Sequence, residues 1–158
     1  MVTIVSGDRN RGKTGRMREL FAAERQGDGF VSTKDIQEGR LIGYRVHHLT
    51  SDRSVPLAFD IRYVPPGWNE LYQHGRYSFG EQGLSFARDI VVEALKRGTT
   101  PIYLDEIGKL ELKGRGFADL VGKALAAGFD LVLAVRDINV EAIVGQFGID
   151  DYRVIPVP

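Results

Sequence analysis

Lys13 and Thr14 close the stretch "GDRNRGKT", which fits the spacing G-x-x-x-x-G-K-[ST]. Glycines at its ends, Gly7 and Gly12, let the backbone curl until its N–H groups converge on phosphate oxygens. A helix opening near Lys13 would add its positive N-terminal end. In that geometry Lys13 reaches the β- and γ-phosphates and the Thr14 hydroxyl takes one Mg²⁺ position. The expected nucleotide-binding set is therefore Gly7, Asp8, Arg9, Asn10, Arg11, Gly12, Lys13, Thr14 and Gly15. Arg9 and Arg11 occupy variable loop positions, where they either face solvent or touch phosphate or base.

A phosphate loop binds a nucleotide without saying what is done to it, and "PIYLDEIGKLEL" at 101–112 supplies the second chemistry. Asp105 ends an apolar run, the strand end at which parallel α/β sheets build ligand sites. Its carboxylate can hold Mg²⁺ opposite Thr14, directly or through water. Glu106, next in the chain, is placed to orient or polarise an attacking water. Lys109 and Glu111 either form a surface ion pair or line the site. Arg136 ends "LVLAV" and so reaches the same sheet edge, where a guanidinium can stabilise γ-phosphate charge or simply pair with Asp137. His47 and His48, adjacent in a β-rich run, face opposite ways and cannot chelate one ion as a pair. Trp68, Tyr72, Tyr77 and Phe79 either cover a base or pack the core.

These residues need elements to hold them. Val2–Val5 reads as a buried strand, and Met17, Leu20 and Phe21 share one helical face that Gly27 and Gly29 end. "FVSTKDI", "LIGYRVHHL" and "VPLAFDIRYV" predict an antiparallel β-meander inserted over about 29–64. "PPGWNELYQHG" reads as loop, because Pro-Pro-Gly continues neither a helix nor a central strand. Helices are predicted over 81–97, around 117–125 and around 140–147, alternating with buried strands at 101–105, 131–135 and 152–157. Alternating buried strands and amphipathic helices specify a three-layer α/β/α architecture with a mostly parallel sheet, expected to be one domain over 1–158.

Composition narrows the function classes. Among 158 residues, Lys+Arg and Asp+Glu balance at 21 each, so the broad positive field of a duplex nucleic-acid binder is missing and that role is disfavoured. There is no cysteine, which removes disulfides, thiolate metal sites and cysteine nucleophiles together. "MVTIVSG" has neither a basic n-region nor a long apolar run, so a cytoplasmic protein without a membrane span is expected.

"GDRNRGKT", "GFVSTKDIQEGRLIGYRV" and "DEIGKLEL" together resemble, in that order, the cancer-related nucleoside-triphosphatase family, small thermophilic-type P-loop NTPases. Gly29-Phe30, Glu38-Gly39-Arg40 and Gly43 stand where that family has its "GF" strand and "E-x-G-x-R-x-G" turn. The resemblance implies a RecA-like P-loop fold and Mg²⁺-dependent hydrolysis of ATP, GTP and other triphosphates. It implies phosphate and Mg²⁺ roles for Lys13 and Thr14, a Mg²⁺ role for Asp105, a catalytic-base role for Glu106 and a place in the site for Lys109. Arg9, Arg11 and Gly15 depart from the family's usual small, apolar loop ending "GKTT", which marks a divergent branch. Alternatives are a nucleotide or small-molecule kinase, which needs an acceptor pocket and a lid, and a nucleotide-gated binding module with an unknown protein partner.

Overall fold

A computed structural model describes residues 1–9 and 11–158; Asn10, expected in the phosphate loop, lies outside the described residues. The chain runs β1 (Val2–Gly7), α1 (Lys13–Glu24), β2 (Asp28–Gln37), β3 (Arg40–His48), β4 (Ser54–Asp60), β5 (Glu70–His74) and β6 (Tyr77–Gly80). It continues α2 (Glu81–Arg97), β7 (Ile102–Leu104), α3 (Lys109–Leu112), α4 (Ala118–Ala126), β8 (Leu131–Arg136), α5 (Val140–Phe147) and β9 (Tyr152–Pro156).

The nine strands among the described residues join one sheet in the order β5-β6-β4-β3-β2-β7-β8-β1-β9. From β2 through β7, β8 and β1 to β9 every pairing is parallel. From β2 outward through β3, β4 and β6 to β5 every pairing is antiparallel. β2 therefore joins a parallel half to an antiparallel extension.

Alternation along the central strands builds two cores. Ile4, Leu104, Leu131 and Leu133 face one side, packed with Ala87, Val91, Leu120, Val121 and Ile143 from α2, α4 and α5. Val5, Tyr103, Val132 and Ala134 face the other, against Met17 and, at the margin, Leu20 and Phe21 of α1. This is the three-layer arrangement that strands buried on both faces require. No helix among the described residues is long and apolar enough to cross a membrane.

Two local expectations are corrected. Residues 70–74 form β5 instead of loop, so antiparallel strands run from Asp28 to Gly80 and beyond the anticipated 29–64. Pro65-Pro66-Gly67 makes only the approach to that hairpin, and pairing with β6 creates the strand. Gly29 does not end a helix: it lies inside β2, hard against the Tyr103 backbone, where a Cβ has no room.

Candidate functional site

β1 ends at Gly7 and α1 begins at Lys13, so the loop between them hangs at the carboxyl edge of the sheet. Gly12 takes the turn at φ 93, a left-handed backbone that glycine adopts without steric cost. Lys13 is buried although charged. Its Nζ donates to the Gly7 and Asp8 carbonyls at 3.2 and 2.7 Å, so the ammonium sits within the curl of the loop. The first bond of α1 runs from the Arg16 N–H to the Gly12 carbonyl at 3.0 Å. The N–H groups of Lys13, Thr14 and Gly15 precede it and are the donors that a helix N-terminus offers an anion. Arg9, Arg11 and Gly15 are exposed on the rim.

Asp105, just past β7, is only 1% exposed. Its Oδ2 accepts the Thr14 hydroxyl at 2.6 Å and the Ser32 N–H at 2.9 Å, and its Oδ1 accepts the Glu106 N–H at 2.9 Å. Burial pushes the carboxyl upward, while those three donors and the Lys13 charge oppose the shift. Thr14 and Asp105, 91 residues apart, are thus brought into contact. A hydroxyl beside one carboxylate is a donor set that fits Mg²⁺, a hard cation that keeps several waters and takes phosphate oxygens. Among the described residues no cluster of three or more acidic, histidine or cysteine groups offers a protein-only metal cage.

Glu106 follows at φ 58, a left-handed conformation that side-chain-bearing residues rarely adopt. It keeps an exposed edge but stands in a concave wall. Desolvation there, with the Asp105 charge beside it, pushes its carboxyl up to about 7, against the pull of Lys13 and Arg9. Arg136 lies opposite Gly7 in the β1–β8 register. Its Nη2 is 3.4 Å from Asp8 Oδ1, and its Nε is buried with no hydrogen-bond partner among the described residues.

Lys109 and Glu111 do not form the surface pair the sequence allowed. Lys109 is exposed on the cavity wall, whereas Glu111 is 3% exposed and turned inward. Its carboxylate accepts the Gly108 N–H at 2.8 Å and the Phe117 N–H at 3.0 Å, tying off the segment that follows Glu106. Burial pushes that carboxyl up as well. Gly116 closes the segment at φ 60, where a Cβ would strike the Glu111 carboxylate.

Arg9, Lys13, Asp105, Glu106, Glu111 and Arg136 line one cavity of about 570 Å³, which extends from Lys13 and Asp105 to the underside of the β5–β6 hairpin. Its far wall is aromatic. Tyr44 meets Tyr77 edge-on at 5.2 Å, and Tyr72 stacks on Phe79 at 5.1 Å. Burial pushes the phenols of Tyr44 and Tyr72 up to about 12. Of the aromatic cluster read from the sequence, Trp68 goes elsewhere, packing on Phe59 and donating from its indole to Ser78 at 3.1 Å. His47 and His48 pair with Asp52 and with Asp28, away from the cavity. Tyr44, Asn139 and the Ser32 backbone are site features that the sequence reading passed over. Only their neighbours in space, contributed by other strands, bring them there.

A family model described as NTPase matches residues 3–157. A nucleoside-triphosphatase THEP1 from Thermotoga sp. (strain RQ2) is 25% identical over 139 residues, covering 86% of this chain and 74% of that one. The protein of the same name from Methanopyrus kandleri is 28% identical over 138 residues, covering 85% and 72%. The crystal structure of THEP1 from the hyperthermophile Aquifex aeolicus superposes with a TM-score of 0.74 at 22% identity, covering 99% and 90% of the two chains. The solution structure of a human cancer-related nucleoside triphosphatase gives 0.66 at 23% identity, covering 99% and 88%. Those two likenesses establish the α/β fold.

Proposed function

The chain belongs to this NTPase family, and we propose that it is a cytoplasmic, Mg²⁺-dependent enzyme cleaving the β–γ bond of ATP, GTP and other nucleoside triphosphates. One observation carries the metal dependence: the 2.6 Å contact between Thr14 Oγ1 and Asp105 Oδ2, which sets a hydroxyl and a carboxylate side by side at the mouth of the phosphate loop. Mg²⁺ bound there would neutralise charge on the β- and γ-phosphate oxygens.

The chain's own groups do the rest. Backbone donors of the loop and the α1 N-terminus hold the phosphates, and Lys13 moves its ammonium from the Gly7 and Asp8 carbonyls to the γ-phosphate oxygens. Arg136, whose Nε has no hydrogen-bond partner among the described residues, adds a second cation where charge develops. Glu106 orients a water in line with the γ-phosphorus and accepts its proton as the new P–O bond forms and the diphosphate leaves. A carboxyl pushed up towards neutrality is a stronger base than an ordinary glutamate, which suits that task.

The test is phosphate release from ATP, GTP, CTP and UTP, with Mg²⁺ and with a chelator, alongside Lys13→Ala. Release that requires both Mg²⁺ and Lys13 is expected. Release that persists undiminished in Lys13→Ala, or in the chelator, would overturn the assignment.

A further inference from the structure

Hydrolysis needs room for one water beside the γ-phosphate, about 30 Å³ of liquid volume. The cavity measures about 570 Å³, inside the range of roughly 300–1,000 Å³ typical of small-molecule sites. The triphosphate accounts for its Lys13–Asp105 end only.

Direction matters here. In a loop of this type the α- and β-phosphates lie over the helix N-terminus and the γ-phosphate lies towards the lysine and the metal. The nucleoside therefore leaves past the α1 N-terminus, beyond Gly12 and the open face of Gly15; Val157 packs against the loop at Gly7 and Gly12. Neither Gly12 nor Gly15 lines the cavity; the loop contributes Arg9 and Lys13 to it. The sheet order places β7 and β2, and then the antiparallel extension, on the opposite side of β1 from β9. The cavity thus lies beyond the γ-phosphate and cannot be the seat of the base.

We infer that this space is an acceptor site for a small alcohol with a flat aromatic or heteroaromatic body of about nucleoside size, to which the enzyme transfers the γ-phosphoryl group. The inference rests on the triphosphatase reading of the phosphate loop. Three kinds of wall specify the ligand. Tyr44, Tyr77 and the stacked pair Tyr72–Phe79 line the cavity with aromatic rings, and Leu41 and Leu84 add apolar surface. Tyr44 and Tyr72, phenols that are protonated at neutral pH, add hydroxyls able to hydrogen-bond ring heteroatoms. At the inner end stands Glu106, which lines the same cavity as Tyr44 and follows the metal-side carboxylate of Asp105 in the chain.

The step balances without a further reagent. The acceptor oxygen attacks the γ-phosphorus, its proton passes to the Glu106 carboxylate, the bond from the γ-phosphorus to the bridging oxygen breaks, and the nucleoside diphosphate leaves. Water attacks by the same route when the acceptor is absent. The roof over the acceptor is the β5–β6 hairpin, fastened by Arg76 of its turn to the buried Asp60 carboxylate at 2.7 and 2.8 Å.

The experiment follows γ-labelled ATP in Mg²⁺ with the four ribonucleosides, pyridoxine and 4-hydroxybenzyl alcohol as probes, and measures label in phosphoester against label in inorganic phosphate. At least one probe should take up label in the parent protein and lower phosphate release as its concentration rises, while ATP consumption is maintained. Leu41→Trp, which fills the cavity from β3, should cut the ratio of phosphoester to phosphate at least tenfold, and the smaller filling Leu41→Phe should fall between. If ATP is consumed and all label goes to inorganic phosphate with every probe, the acceptor site is refuted and the triphosphatase reading stands. If a probe is labelled equally in both Leu41 variants and the parent, the site is not this cavity. If no ATP is consumed under any condition, both readings fall together.

Discussion

Glu106 adopts φ 58 although it is not glycine, and a left-handed backbone costs an L-residue about 1–2 kcal/mol. Strain of this kind persists where surrounding structure fixes it, and it clusters at working sites. Here the Asp105–Glu106 N–H contact holds one side and the Glu111 staple on Gly108 holds the other. The turn aims Asp105 back at Thr14 and leaves Glu106 on the cavity wall. Glu106→Gln preserves size but removes the proton acceptor. Its expected effect is a fall in turnover of about 10²–10⁴-fold, the range of general-base contributions, with triphosphate affinity close to the parent value. Single-turnover hydrolysis and equilibrium binding on the same sample check it; parental turnover in the variant would remove Glu106 from the base role.

At the scale of elements, the half of the molecule that carries the phosphate loop was legible in the sequence because its chemistry restricts residue types. β1, the glycine-bounded loop and α1 are written in that order, as are the apolar strands ending at Asp105 and Arg136. The cavity was not legible, since its walls come from β3, the β5–β6 hairpin and the segment after Asp105, which meet only in the folded sheet. β5 itself has mostly exposed side chains and little alternation to announce it. Glu111 was left open between a surface pair with Lys109 and a place in the site; backbone donors, invisible in the sequence, draw its carboxylate inward. The hairpin roof depends on Asp60, which accepts five hydrogen bonds from Arg62 and Arg76. Arg62 foremost, then Arg76, hold this carboxyl well below the usual carboxylate range. A depressed folded value means stabilisation that is complete above the unfolded pKa, about 3.9, and is lost as pH falls from there through the folded value. Asp60→Asn should therefore lower the melting temperature at neutral pH and loosen amide protection in β4 and β6. The gap between variant and parent should close as the pH is taken below about 4; a gap independent of pH would mean that packing, and not charge, fastens the roof.

Taken as a whole, the molecule is a parallel nucleotide-type half and an antiparallel extension sharing one sheet through β2. Thr14 on α1, Ser32 on β2 and Asp105 beyond β7 meet at a single carboxylate, so a ligand at the phosphate loop is coupled to the strand that joins the halves. Binding there should stabilise the native state as one unit rather than order a loop locally. Anything that binds only the folded form contributes RT ln(1 + [L]/Kd), about 2.7 kcal/mol at a hundredfold excess over Kd. For a chain of this size each kcal/mol moves the midpoint by about 2–4 °C, so Mg²⁺ with ATP should raise it by roughly 5–11 °C. Glu106→Gln is the form in which to measure this, because slow turnover keeps the triphosphate intact during the scan. Adding Lys13→Ala to that background should abolish the shift, and chelating Mg²⁺ should reduce it. A shift confined to β1 and α1 in hydrogen exchange, with the β2–β3 amides unmoved, would show that the halves are uncoupled and that the sheet transmits nothing from the phosphate loop to the extension.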